Sequence, residues 1–146
     1  MSKTNVYISY SIPNEPKAYE VAELLKTKGV NPVYWKMGTS YSNEPLCKAD
    51  AVVFILGSYY WSKDLSDLSA GVHKELDTAL ILNIPIYIAY KRKDGSLQIY
   101  KAVVGNNQIS GVANTCFESP RSQRYCPSNC KNSKSTYKST YKRRHK

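Results

Sequence analysis

The 146-residue sequence predicts a single α/β domain in which helices cover both faces of a parallel β-sheet, giving three layers. Short runs of β-branched and aromatic residues alternate with segments whose apolar residues recur at helical spacing, the pattern of strand-helix-strand units. The clearest strand, residues 51–56, is a continuous apolar run, as expected for a strand covered on both faces. A chain of this length can bury a core without disulfides or metals.

The first half of the chain begins with the predicted central strand, residues 5–10. A helix then extends to about Lys28. Its apolar stripe follows the spacing i, i+3, i+4, i+7 and consists of Ala18, Val21, Ala22 and Leu25. Residues 31–35 are the second predicted strand, and the polar segment 36–43 is a loop of the right length to fold over a pocket. Residues 44–50 form a short helix before the buried strand.

In the second half, a polar and aromatic loop follows the buried strand, and either Ser69 or Asp67 caps the next helix. This helix covers residues 70–83 and feeds a strand at 85–90. Its predicted buried stripe consists of Val72, Leu76, Ala79 and Leu80. After a tight turn, residues 97–104 add an edge strand. If the sheet is parallel, both polar loops leave the same strand ends.

Three regions follow from this pattern: an α/β domain at 1–104, an irregular extension at 105–118 and a basic tail at 119–146. Of the net charge of +10, +9 belongs to the tail, because it holds nine Lys or Arg and no acidic residue, whereas residues 1–118 hold 12 basic and 11 acidic residues. With few large aliphatic residues the tail is predicted to be disordered. Its Lys, Arg and Tyr can contact nucleic acid weakly; the alternative is a simple solvated tail.

The sequence contains no run of about 18 apolar residues and no signal-like start, so we expect a cytoplasmic protein with no membrane contact. Neither a metal nor a cofactor is expected. The cysteines and the histidine near the end of the chain do not form the two closely spaced ligand pairs that are typical of a structural zinc site. Those residues are Cys47, Cys116, Cys126, Cys130 and His145. A homo-oligomer remains open.

The strongest functional candidate is Glu75, near the start of a helix and at the carboxyl end of the predicted sheet, where doubly wound folds bind ligands. On a helical wheel of about 100° per residue, it lies roughly 100° from the centre of the apolar stripe, at the flank of the buried face. A carboxylate beside a helix N-terminus is stabilised as the anion, which suits a nucleophile or a charge stabiliser. The alternative is an ordinary solvated glutamate.

Three motifs occur in a characteristic order: Val-Tyr-Ile-Ser at 6–9, Ala-Asp-Ala-Val-Val-Phe at 49–54, and Gly71-x-x-x-Glu75-x-x-x-Ala79 leading to Ile-Pro-Ile. In order and spacing they resemble the nucleoside 2-deoxyribosyltransferase-like superfamily. The resemblance covers roughly residues 5–90. It implies a flavodoxin-like fold and, as the partner, a small-molecule nucleoside or nucleotide.

The resemblance also implies roles for individual residues. Glu75 would attack the anomeric carbon of a nucleoside, forming a glycosyl-enzyme that water or another base resolves. Asp67 or Asp64 would contact the sugar or the base, and Tyr10 would line the pocket. Further candidates for substrate binding are Ser9, Ser58 and Gly71. The aromatic loop residues either stack on a base or pack together as a lid; they are Tyr41, Tyr59, Tyr60 and Trp61.

Two alternatives stay open. TIR domains have a similar first strand and use a glutamate on a later helix to cleave the glycosidic bond of NAD. In that family a Trp-Cys type pair lies about one helical turn before the glutamate, whereas here the pair at 61–62 precedes Glu75 by 14 residues, so a TIR-like NAD glycohydrolase is the second interpretation. The third is a noncatalytic module that senses or sequesters a nucleotide.

Overall fold

The structure is a computed structural model that describes residues 4–36 and 38–117. The strands are β1 (Asn5–Ser9), β2 (Asn31–Val33), β3 (Ala51–Phe54), β4 (Ser62–Asp64), β5 (Ile86–Lys91), β6 (Leu97–Gly105) and β7 (Gln108–Cys116). The helices are α1 (Glu15–Thr27), α2 (Glu44–Cys47) and α3 (Ala70–Ile81). The predicted elements up to β5 are therefore present, although β2 and β3 each end two residues earlier than predicted.

All seven strands belong to one mixed sheet in the order β2-β1-β3-β5-β6-β7-β4. The α/β class is confirmed, but the prediction of an entirely parallel sheet is wrong. The strands β2, β1, β3 and β5 are parallel, whereas β6, β7 and β4 pair antiparallel. Between β5 and β6 the chain reverses through a short turn at Gly95, whose φ is +88°. Such a turn joins antiparallel neighbours, because a parallel pair needs a long crossover.

The chain after Gly105 is also more regular than predicted. The predicted irregular extension instead contains β7, so β6 lies inside the sheet and not at its edge. Asn106 and Asn107 both have positive φ, 53° and 61°, and they connect the paired residues Gly105 and Gln108. Two left-handed residues in a two-residue loop are the requirement of a type I′ hairpin turn, which asparagine meets readily.

Two hydrophobic clusters lie on opposite faces of the sheet, so the domain has three layers. Strand alternation divides β1 between them, with Val6 and Ile8 facing α1 and Tyr7 facing α3. The predicted stripe of α1 is buried, but on α3 Leu80 is 42% exposed. In its place Glu75 lies on the buried face of α3.

The predicted basic tail, residues 119–146, lies outside the described residues. Within the described ranges, none of the helices has the length and apolar character needed to cross a lipid bilayer.

Candidate functional site

The centre of the site is the carboxylate of Glu75, which is only 7% exposed. Three hydroxyl groups donate hydrogen bonds to it. The Tyr7 and Tyr41 hydroxyls each lie 2.8 Å from Oε2, and Ser9 Oγ lies 2.6 Å from Oε1. These contacts exclude the alternative of an ordinary solvated glutamate.

Strand and helix periodicity bring these groups together. Tyr7 and Ser9 are two residues apart on β1, so both side chains point toward the α3 side of the sheet. On α3, Glu75 comes three residues after the buried Val72 and directly before the buried Leu76. One helix turn packed over the end of β1 therefore places the carboxylate against two hydroxyls that the strand supplies.

The start of α3 confirms Ser69 as the helix cap and shows that Glu75 is farther from the helix end than predicted. Ser69 is the N-cap, and its side chain accepts a hydrogen bond from the backbone amide of Val72 at 3.4 Å. Because α3 begins at Ala70, Glu75 lies in the second turn. The helix dipole acts mainly within the first turn, so the hydroxyl donors, more than the helix end, stabilise the carboxylate.

The tyrosines beside Glu75 are held in their neutral, hydrogen-donating form. Burial raises the pKa of Tyr7, and the negative charge and hydrogen bond of Glu75 raise it further. Burial and the hydrogen bond to Glu75 likewise raise the pKa of Tyr41. Within the described residues, no Lys, Arg or His forms a salt bridge with Glu75. Among the described residues, its hydrogen-bond donors are therefore neutral hydroxyls.

A cavity of about 460 Å³ opens above the carboxylate. This volume is in the range of small-molecule sites. It is lined by Tyr7, Ile8, Tyr10, Ser11, Ile12, Pro13, Trp35, Tyr41, Ser69, Gly71 and Glu75. The lining is mostly aromatic and aliphatic, with a single carboxylate, which suits a flat, largely apolar ligand that presents one reactive or electropositive atom.

The far wall of the cavity is fixed by hydrogen bonds between two loops. The Tyr10 hydroxyl donates to the carbonyl oxygen of Trp35 at 2.5 Å, and burial raises the pKa of Tyr10 to about 12, with a contribution from the charge of Glu15. Trp35 Nε1 in turn donates to the carbonyl oxygen of Thr39 at 2.9 Å. Tyr10 and Trp35 are thereby held as walls and not as freely moving side chains.

Of the sequence-predicted site residues, the structure brings four together. Glu75, Tyr10 and Gly71 line the cavity, and Ser9 lies beneath it as a donor to Glu75. The remaining three are separate from the described lining: Ser58, Asp64 and Asp67.

The reason for that separation is the path of the loop after β3. It leads away from the carboxyl end of the sheet to β4, where Asp64 accepts a hydrogen bond from Gln108 at 3.0 Å. Asp67 belongs to the 3-10 turn Leu65–Asp67, where it is exposed. Neither residue lines the cavity, and the acidic contact to sugar or base that the resemblance implied for this loop stays a prediction.

Comparisons of the chain with protein-family models, with curated proteins and with solved structures find no match.

The sequence interpretation missed two contributions to the site. Tyr7 could have been found, because it shares a strand face with Ser9 and alternation places both on the side of α3. For Tyr41 the sequence predicts base stacking or packing as part of a lid, and no local pattern indicates that a loop tyrosine donates to a carboxylate 34 residues away. Among the described residues, no group of three or more His, Cys, Asp or Glu is placed to hold a metal ion.

Proposed function

We propose that this protein binds a nucleoside or nucleotide and cleaves its N-glycosidic bond, with Glu75 as the nucleophile. The observation that carries the proposal is the buried Glu75 carboxylate, held by three hydroxyls beside an aromatic cavity and without a cationic partner in the described structure. A buried charge is costly unless it is hydrogen-bonded, and this carboxylate accepts three hydrogen bonds.

The electrostatics of this arrangement suit glycosidic chemistry. Cleavage of an N-glycosidic bond passes through an oxocarbenium-like state in which positive charge develops at the anomeric carbon. A carboxylate with no neutralising cation is attracted to that charge more strongly in the transition state than in the ground state, which is the condition for catalysis.

The reaction divides into two displacements. A Glu75 oxygen forms a bond to the anomeric carbon, and the bond from that carbon to the base nitrogen breaks, its electron pair leaving with the base. Water or a second base then attacks the anomeric carbon of the glycosyl ester, which releases the Glu75 carboxylate. The first outcome is hydrolysis and the second is transfer of the sugar.

The position of the cavity supports a flavodoxin-like arrangement for the parallel part of the sheet. The order β2-β1-β3-β5 changes direction at β1, and the cavity lies at the carboxyl end of that strand. Ligands in doubly wound folds bind at this kind of switch point. The antiparallel strands β6, β7 and β4 are an addition to that pattern.

A TIR-like NAD glycohydrolase is the second candidate, and one observation favours it. Glu75 is the only carboxyl group in the described lining, so no second acid stands ready to protonate a departing base. Purines and pyrimidines leave more readily when protonated, whereas the nicotinamide of NAD leaves as a neutral molecule from a pyridinium. A panel that includes NAD separates these substrates.

The test is incubation of the full chain with deoxynucleosides, their 5′-monophosphates and NAD, with released base measured by chromatography. Glu75→Gln removes the nucleophile while preserving side-chain size. Glu23→Gln is the matched control, because Glu23 lies on the exposed face of α1. Release by the wild type and by Glu23→Gln, but not by Glu75→Gln, is expected. Binding without turnover in all three proteins would overturn the enzyme proposal and leave the noncatalytic module.

A further inference from the structure

A second, smaller cavity of about 240 Å³ adjoins the first and shares Tyr7 and Trp35 with it. It is lined by Tyr7, Tyr34, Trp35, Lys36, Thr39, Ser40, Ser42 and Pro45. In the larger cavity the lining is mainly apolar and carries one carboxylate, whereas here it includes five hydroxyl side chains, two of them tyrosines, and one lysine. Of the described residues around the smaller cavity, none is acidic.

The turn that follows β2 gives this cavity its shape. The backbone amide and the hydroxyl of Thr39 both donate to the carbonyl oxygen of Lys36, at 3.1 and 2.6 Å. Gly38 takes φ +91° in this turn, a left-handed conformation that glycine adopts without steric cost. With the bond from Trp35 Nε1 to the Thr39 carbonyl, these contacts fix the backbone at Lys36 next to the shared wall, while Lys36 as a residue is exposed.

We propose that the smaller cavity is a phosphate subsite, so that the ligand is a nucleotide and not a nucleoside. The inference rests on the proposed function, which places the sugar near Glu75. A nucleoside 5′-phosphate carries a dianionic group a few atoms from an anomeric carbon that becomes electropositive in the reaction. The two cavities present the complementary charges, Lys36 in one and Glu75 in the other, on either side of Tyr7.

The hydroxyl groups of Ser40 and Ser42 also suit a phosphate group, since phosphate oxygens accept hydrogen bonds from serine and lysine side chains. A hydrogen bond to a charged group is stronger than one between neutral groups. Loss of Lys36 should therefore weaken phosphate binding by roughly tenfold or more, and it should leave the uncharged part of the ligand unaffected.

The experiment compares D-ribose 5-phosphate with D-ribose, a pair that differs only in the phosphate and has no N-glycosidic bond. Binding to the full chain is measured by calorimetry at low and physiological salt. Lys36→Gln removes the proposed ligand, and Lys74→Gln, at an exposed position of α3, removes the same charge elsewhere. The wild type and Lys74→Gln should prefer the phosphorylated sugar by roughly tenfold or more, and Lys36→Gln should lose most of that preference.

Three results would overturn the phosphate subsite: equal affinity for both sugars, equal losses in the two lysine variants, or a preference that Lys36→Gln retains. The last would assign the phosphate to another basic segment, since all three proteins share the tail. Because neither sugar contains the bond to be cleaved, this result is independent of base release. Failure of the cleavage assay would leave the subsite standing, and failure of the subsite would leave nucleoside cleavage open.

Discussion

The sheet has a parallel half, β2, β1, β3 and β5, and an antiparallel half, β6, β7 and β4 together with the face of β5 that packs on them. In the parallel half tyrosine hydroxyls converge on a carboxylate, whereas in the antiparallel half tyrosine rings pack against a tryptophan. Tyr7 and Tyr41 donate to Glu75 at the end of β1. Around β5, β6 and β7, the ring of Trp61 makes edge contacts with Tyr90 and Tyr100 at centroid distances of 4.8 and 5.1 Å. The same residue type serves polar chemistry at open strand ends and apolar packing across the strands.

This difference follows from topology. Parallel strands end together at one edge, so the loops after them converge and can surround a ligand. Antiparallel neighbours are joined by tight turns, here at Gly95 and at Asn106 and Asn107, which leave little loop to build a site. We therefore expect function to depend on the parallel half and a large share of the stability to depend on the aromatic packing of the antiparallel half.

The largest expected effects are a loss of activity in Glu75→Gln and a loss of stability in Trp61→Ala. Glu75→Gln should lower base release by more than roughly a thousandfold, because it removes the nucleophile. It should change the free energy of unfolding by less than about 1.5 kcal/mol, since the amide oxygen still accepts hydrogen bonds. Trp61→Ala should cost about 3 kcal/mol of stability and leave the activity of the folded protein intact. Urea unfolding and base-release rates of both variants measure this contrast.

A single result would break the contrast between the halves. If Trp61→Ala abolishes base release while the protein remains folded by circular dichroism, the antiparallel half contributes to the site. The two halves would then have to be treated as one functional unit.

A smaller stability effect is expected from two glycines that differ in their surroundings. A Cβ at Gly111 would lie 2.8 Å from Ile88 Cδ1 and 2.9 Å from the Trp61 ring, whereas a Cβ at Gly71 meets nothing within 4 Å. Gly111→Ala should cost about 2 kcal/mol through overpacking, and Gly71→Ala should gain up to about 1 kcal/mol of helix propensity. Thermal unfolding measures both. Equal effects would contradict the tight aromatic packing of the antiparallel half.

The parallel half was largely predictable from the sequence, and the antiparallel half was not. Apolar runs and helical stripes indicate β1, α1, β3, α3 and β5 directly, because each element buries a continuous surface. The segment that forms β7 mixes Ser, Gly, Asn and Thr with few large apolar residues, so its strand character depends on pairing with β6. The turn signal was nevertheless present in Asn106 and Asn107.

The residues of the site were likewise predictable only in part. Glu75, Tyr10, Ser9 and Gly71 could be named because they lie on or next to predictable elements at one sheet edge. The positions of Asp64 and Asp67 depended on where a loop leads, and that loop joins β4 at the far edge. Loop direction is set by the partner that a segment finds, which here is β7, and a local pattern does not contain that information.

Within the site, a smaller effect should separate Tyr7 from Tyr41. Both donate to Glu75 Oε2 at 2.8 Å, but Tyr7 is 2% exposed and Tyr41 is 51% exposed. Tyr7→Phe should lower base release by roughly 10- to 100-fold, because no water can replace a buried donor to a charge. Tyr41→Phe should cost only about two- to fivefold, since water can take its place. Tyr90→Phe, which keeps its ring contact with Trp61, is the control. Equal losses at Tyr7 and Tyr41 would show that exposure does not set the value of these donors.

The last expected effect is a loss of stability at high pH that is due to Tyr7. Burial and Glu75 raise the pKa of Tyr7 in the folded protein, whereas in the unfolded chain it titrates near 10. Above pH 10 the unfolded state therefore releases a proton that the folded state retains, and the free energy of unfolding falls by up to about 1.4 kcal/mol per pH unit for this residue. Other tyrosines with raised pKa values, Tyr10 and Tyr41 among them, add to the slope. Urea unfolding between pH 9 and about 11 should show a shallower decline in Tyr7→Phe than in the wild type. If Tyr7→Phe and the wild type decline in parallel, the Tyr7 hydroxyl is not held in the buried bond to Glu75, and the polar centre of the parallel half would need a different arrangement.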